Sequence, residues 1–137
     1  MKKRGFSLLE MLVSLFIFTI VSSMLIVKTN DFFKKMRFKA DVFSVRNIIQ
    51  KVRVRAILKY ETLKIMFKDD KIDILSRKNN SWKKIKTYNF QDLRLKSNNA
   101  PVFYPYGTVS KLFTLYIISQ NGIRKLTMNI NGRINIY

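Results

Sequence analysis

The sequence predicts an α+β chain in which one long N-terminal helix packs against a small antiparallel sheet. Three observations carry that reading: an apolar block from Phe6 to Val27, a stretch from Lys28 to Tyr60 without Pro or Gly, and alternating apolar positions with Asn-Gly pairs beyond Tyr60. At 137 residues the chain allows one compact domain. Its 47% hydrophobic content is enough for a core despite a formal charge of +19.

The block 6–27 follows the basic cluster Lys2-Lys3-Arg4, and from Met11 to Val27 it carries no charged residue. As a helix it measures about 33 Å, against a bilayer core of about 30 Å, so it reads as a membrane-crossing helix. The only alanines are Ala40, Ala56 and Ala100, so no small-residue cleavage site closes the block. It is therefore expected to stay on the mature protein. Lys28, Lys34, Lys35, Arg37 and Lys39 crowd its far end. A count of flanking cations puts the C-terminal part inside, but long domains cross largely regardless of charge, and a cytoplasmic N-terminus is favoured.

Residues 28–60 read as the amphipathic half of the same helix. Phe32, Met36, Ala40 and Phe43, continued by Ile48, Ile49, Val52 and Ala56, recur at helical spacing and form the expected buried stripe. No stop signal interrupts the run, so one helix is predicted from Phe6 to about Lys59.

Residues 61–137 read as the antiparallel head. Leu63-Ile65-Phe67 and Ile72-Ile74 alternate around the polar turn Lys68-Asp69-Asp70-Lys71, as in a hairpin. The polar stretch 77–81 leads into Trp82, Ile85, Tyr88 and Phe90, and Leu93 with Leu95 suggests a short strand. Phe103-Tyr104-Pro105-Tyr106-Gly107 reads as a turn-rich connector. The uncharged run Leu112–Ser119 suits a central strand. Asn121-Gly122 and Asn131-Gly132 then mark the turns of a three-stranded meander.

Composition narrows the function. There is no Cys and no His, which removes thiol nucleophiles, thiolate metal sites and the commonest general base. No phosphate-cradling loop or acid–base pair is present, so neither an enzyme nor a cofactor site is expected. Asp69, Asp70 and Asp73 lack the spacing and the glycine of a calcium loop and read as hairpin residues, so no metal site is expected either.

Glu10 is the one charge inside the apolar block. A carboxylate at the centre of a bilayer helix costs about 2.5–3.5 kcal/mol and calls for a partner. The cations before Gly5 look like a removable leader, residues 1–5. A cut between Gly5 and Phe6 would create an ammonium one helical turn from Glu10, and the helix dipole favours the same carboxylate. In a bundle of parallel helices, Glu10 of one chain could also meet the ammonium of a neighbour.

Gly5-Phe6-Ser7-Leu8-Leu9-Glu10, after a basic leader and before an apolar helix, resembles the prepilin peptidase motif of the type IV pilin and pseudopilin family. The resemblance implies cleavage after Gly5 by prepilin peptidase, N-methylation of Phe6, and neutralisation of a neighbouring subunit's N-terminus by Glu10. It also implies a cytoplasmic leader with the head outside, in a membrane-anchored filament of pilin-like subunits at the cell surface. Phe103-x-Pro105-x-Gly107 and the ending Asn131-Gly132-Arg133-Ile134-Asn135-Ile136 resemble minor pseudopilins of the type II secretion H class. The competence pseudopilins of Gram-positive bacteria share that ending and the Thr62–Phe67 strand. Thr19 and Val27 stand where major pilins often have glycine and proline, and a C-terminal disulfide is impossible. Both departures indicate a minor subunit.

Charge leaves a second class open. Residues 28–59 carry a net +8 and residues 61–137 a net +9. Arg77, Lys78, Lys83, Lys84 and Lys86, interleaved with Trp82 and Tyr88, form a candidate DNA contact. The bland alternative is a solvated strand with Trp82 turned into the core. The expected function is thus a minor pseudopilin, with the DNA-uptake pseudopilus ahead of type II secretion or pilus priming. Its partners are prepilin peptidase, other pilin-like subunits and membrane lipid. Rival readings are a membrane-tethered head that binds DNA, and an unrelated anchored protein.

Overall fold

The computed structural model describes residues 7–137, with side chains at all of these except residues 24–29. The leader 1–5, the cleavage site at Gly5 and the methylation site at Phe6 lie outside the described residues. One helix, α1 (Leu8–Leu58), is followed by eight strands. These are β1 (Leu63–Lys68), β2 (Lys71–Lys78), β3 (Ser81–Asn89), β4 (Arg94–Ser97), β5 (Val102–Phe103), β6 (Phe113–Ser119), β7 (Gly122–Met128) and β8 (Ile134–Ile136). The chain divides into two compact units, one ending at Arg37 and the other running from Phe38 to Tyr137.

In the first unit the side chains of α1 from Leu8 to Val21 are exposed on all sides. Ser14 donates to the carbonyl of Glu10, Thr19 to that of Phe16 (2.7 Å), and Ser23 to that of Ile20 (2.7 Å). These hydroxyls are satisfied by the helix itself, which suits apolar surroundings. Among the described residues no helix is long and apolar enough to cross a membrane. Phe32 and Phe33 meet edge to face, with ring centroids 6.0 Å apart, and both are exposed.

In the second unit the buried face of α1 is Phe38, Val42, Val45, Ile49, Val52 and Ala56, with Ile48 beside it. Spacings of four and three keep these residues on one line. This corrects the expected stripe: Ile48, Ile49, Val52 and Ala56 hold, but Phe32 (60% exposed), Met36 (49%) and Phe43 (52%) do not, and Ala40 is exposed. The helix has apolar residues on more than one face, and Phe43 lies about 100° round from Val42.

The helix stops without glycine. Glu61 N–H reaches the Ala56 carbonyl (3.1 Å) and Tyr60 N–H that of Ile57 (3.4 Å), with Tyr60 in the left-handed region at φ 54°. That is a Schellman stop built on tyrosine, tied further by Arg55 to Glu61 at 3.6 Å.

The strands form two four-stranded sheets, ordered β3-β2-β1-β5 and β4-β6-β7-β8, where one small sheet was expected. The predicted turn at Asp69-Asp70 joins β1 to β2, and its carbonyls accept the N–H groups of Leu95 (2.9 Å) and Phe90 (2.8 Å). Two sheets result because the segment after β3 is tied back to this turn and β4 then pairs with β6 instead of β3. The expected meander is present as β6-β7-β8, with β6 interior to its sheet. Leu63, Ile65 and Phe103 from one sheet join Phe113, Leu115, Ile117, Leu126 and Met128 from the other in one core with the α1 line.

Candidate functional site

The first candidate is the start of α1. The carbonyl of Ser7 accepts the N–H groups of Glu10 (3.0 Å) and Met11 (3.2 Å), so Ser7 sets the helix start and Glu10 lies in the first turn. There the positive end of the helix dipole favours a carboxylate. Ser-x-x-Glu is also capping-box spacing, so Glu10 sits where it can serve the helix as well as a partner. Leu8, Leu9, Met11 and Leu12 surround it, all exposed. The site is a lone carboxylate on an uncovered apolar helix end.

The structure distributes the candidate DNA-contact residues over both faces of β2 and β3. β3 is an edge strand, and a bulge interrupts its pairing with β2 between Ile74 and Leu75: Lys86 lies opposite Ile74 and Lys84 opposite Leu75. Residues directly opposite share a face, so the bulge moves Lys84 and Lys86 to opposite faces. Lys84 goes with the outer face, alongside Arg77 and Trp82. Lys83 and Lys86 go with the face that carries Tyr88, and Lys86 sits 4.6 Å from that ring. Lys78 pairs with Ser81 at the two-residue turn Asn79-Asn80, where both residues have positive φ. Trp82 is 38% exposed and not part of the core, and Lys64 lies 5.6 Å from its ring.

Asp73 on the outer face of β2 is buried and has a structural task. Thr87 donates to it at 2.6 Å and Lys68 Nζ lies at 3.0 Å. The hydrogen bond from Thr87, then that from Lys68, holds its carboxyl below the usual carboxylate range, against the opposing effect of burial. A carboxyl with a depressed folded-state pKa contributes stability that is complete above the ordinary carboxylate range and is lost as pH falls through the lowered value. Melting curves from pH 7 to pH 2 should therefore show Asp73→Asn less stable at neutral pH, with a shallower loss below about pH 4. Parallel pH profiles would refute this role. Among the described residues, no three acidic groups come together as a metal site.

Sequence reasoning missed Arg53. Its guanidinium donates from Nε to the Gly107 carbonyl (3.0 Å), from Nη1 to that of Gly132 (3.0 Å), and from Nη2 to that of Asn131 (2.8 Å). One helix side chain thus holds both the 103–107 connector and the 131–132 turn. Gly107 and Gly132 have φ of 81° and 78°, and a Cβ on Gly132 would lie 2.2 Å from the guanidinium carbon. The only signal in the sequence was the pair of glycine turns; nothing distinguished Arg53 from the other cations of the helix.

A family model described as the prokaryotic N-terminal methylation motif matches residues 1–26. No curated protein matches the chain. Among solved structures, the fold is similar to the minor pseudopilin EpsH from the type 2 secretion system of Vibrio cholerae. The TM-score is 0.62 at 16% identity, covering 72% of this chain and 94% of that one. It is also similar to the type IV minor pilin FimU of Pseudomonas aeruginosa (strain PAO1), with a TM-score of 0.62 at 16% identity over 77% of this chain and 92% of the other. The chain carries the N-terminal motif and the fold of type IV pilins and pseudopilins.

Proposed function

We propose that this chain is a minor subunit of a membrane-anchored, type IV pilus-like filament or of its tip, a structural component and not an enzyme. One observation carries the reading: a lone carboxylate, Glu10, stands in the first turn of a helix whose apolar side chains are uncovered from Leu8 to Val21. A helix apolar all round belongs in lipid or among other helices, and both surroundings demand a counter-charge for Glu10. Cleavage after Gly5 by prepilin peptidase supplies it as the amino group of Phe6, on the same chain or a neighbour. The block 6–27 anchors the chain in the cell membrane with its N-terminus cytoplasmic until assembly.

Mass spectrometry of the membrane form is expected to find a chain that begins at N-methylated Phe6. An intact leader would overturn the proposal. Within this class the reading extends to the competence pseudopilus, supported by the Asn131-Gly132-Arg133 ending and the Thr62–Phe67 strand. Deletion should then abolish DNA uptake, whereas loss of a secreted protein or of pili points to type II secretion or pilus priming. DNA contact by Arg77, Lys78, Trp82, Lys83, Lys84 and Lys86 is no part of this proposal, because strand alternation and the bulge at Lys84–Lys86 distribute those residues over two faces.

A further inference from the structure

The second unit contains a groove of about 730 Å³, lined by Lys39, Phe43, Arg46, Arg124, Ile136 and Tyr137 among others. Its walls come from α1, β7 and β8. Three cations converge on an apolar floor, and Phe43 and Tyr137 leave more than half their surface open. Arg46 Nε is shut off from solvent and has no hydrogen-bond partner. A guanidinium N–H left in that state is costly. Arg53, on the same helix, is the contrast: three of its donors reach carbonyls of the chain itself. The Nε of Arg53 is satisfied by folding, and the Nε of Arg46 is not.

We infer that this groove receives an acidic segment of a different pilin-like subunit, a carboxylate against Arg46 and Arg124 with an apolar side chain on Phe43 and Ile136. The inference rests on the filament reading and names the chemistry of the neighbour. A second copy of this chain fits poorly. It has 27 cations against 8 acids, and Asp73 and Glu61 are already engaged within the fold. Two copies would bring like charges together, whereas an acidic neighbour is drawn in by the field of the whole chain. The groove therefore favours a mixed assembly over a filament of this subunit alone.

The test uses the full-length chain in its own membranes, with p-benzoylphenylalanine in place of Tyr137. On irradiation it is expected to crosslink to another pilin-like subunit, through a peptide that contains Asp or Glu. Arg124→Glu, at an exposed strand position, should lower the yield at least about tenfold, and Arg124→Lys should retain most of it. Changing the captured carboxylate to Lys should restore the crosslink to the Arg124→Glu chain. Arg46→Glu should also abolish it, and Arg124→Glu keeps the test decisive if that variant fails to fold. A crosslink to a second copy, to lipid or to nucleic acid, no crosslink, or a yield indifferent to Arg124→Glu would each overturn the inference. The state of Phe6 in the same samples separates the two proposals. Methylated Phe6 without an Arg124-dependent crosslink removes the groove partner alone; an uncleaved leader removes both.

Discussion

Glu10→Ala is expected to leave membrane insertion and leader removal intact while cutting incorporation into the filament by about a hundredfold. Insertion should not suffer, because Ala costs less in a bilayer helix than a carboxylate does, even in the first turn, where the cost falls below the figure of about 2.5–3.5 kcal/mol at the helix centre. Assembly should fail because the amino group of the adjoining Phe6 then has no counter-charge, and a loss of about 2.7 kcal/mol is a hundredfold in an equilibrium. Ser7 and Glu10 also have capping-box spacing, so Ala confounds two roles. Glu10→Gln separates them: glutamine retains the cap but not the charge, and should assemble as poorly as Ala. Filament incorporation is read by shearing and immunoblotting, insertion by alkaline extraction. If Gln assembles normally, Glu10 serves its own helix and the counter-charge role fails.

Arg53→Met should cost about 2–4 kcal/mol, because it keeps the aliphatic stem but strips the carbonyls of Gly107, Asn131 and Gly132 of their charged donor. For a domain of this size that lowers the melting temperature by roughly 10–20 °C, measured by circular dichroism of the detergent-solubilised chain. Arg53→Lys should recover only part, since one ammonium cannot span three carbonyls held by a planar fork. Gly132→Ala should be as damaging from the other side. It forces a left-handed φ on alanine and drives its Cβ into the guanidinium. A melting point unchanged by Arg53→Met would show that the two turns hold their shape unaided.

The sequence revealed those parts of the fold whose signals are local. The helix length and the Asp69-Asp70 turn depend on neighbours within a few residues and lie where their patterns predict, while both Asn-Gly pairs mark real turns centred one residue earlier, at Gln120-Asn121 and Ile130-Asn131. The buried face of the helix was only half legible. Phe32, Met36 and Phe43 are as apolar as Phe38, Val42 and Val45, and only strands far along the chain decide which line is covered. The division into two sheets depends on Phe90 and Leu95 binding back to the first turn, a pairing no local pattern encodes. The basic patch was legible as composition only: strand alternation, with one bulge between Lys84 and Lys86, places its six residues on two faces.

Connectors near the end of a chain ordinarily open and close on their own, well before the rest of a domain gives way. Here Arg53 ties the 103–107 and 131–132 segments to the stretch of helix that carries it. Their amides are expected to exchange more slowly than those of free connectors, because opening either turn breaks a charged hydrogen bond to the helix. One side chain of the helix thus sets how readily the last turns of the chain let go.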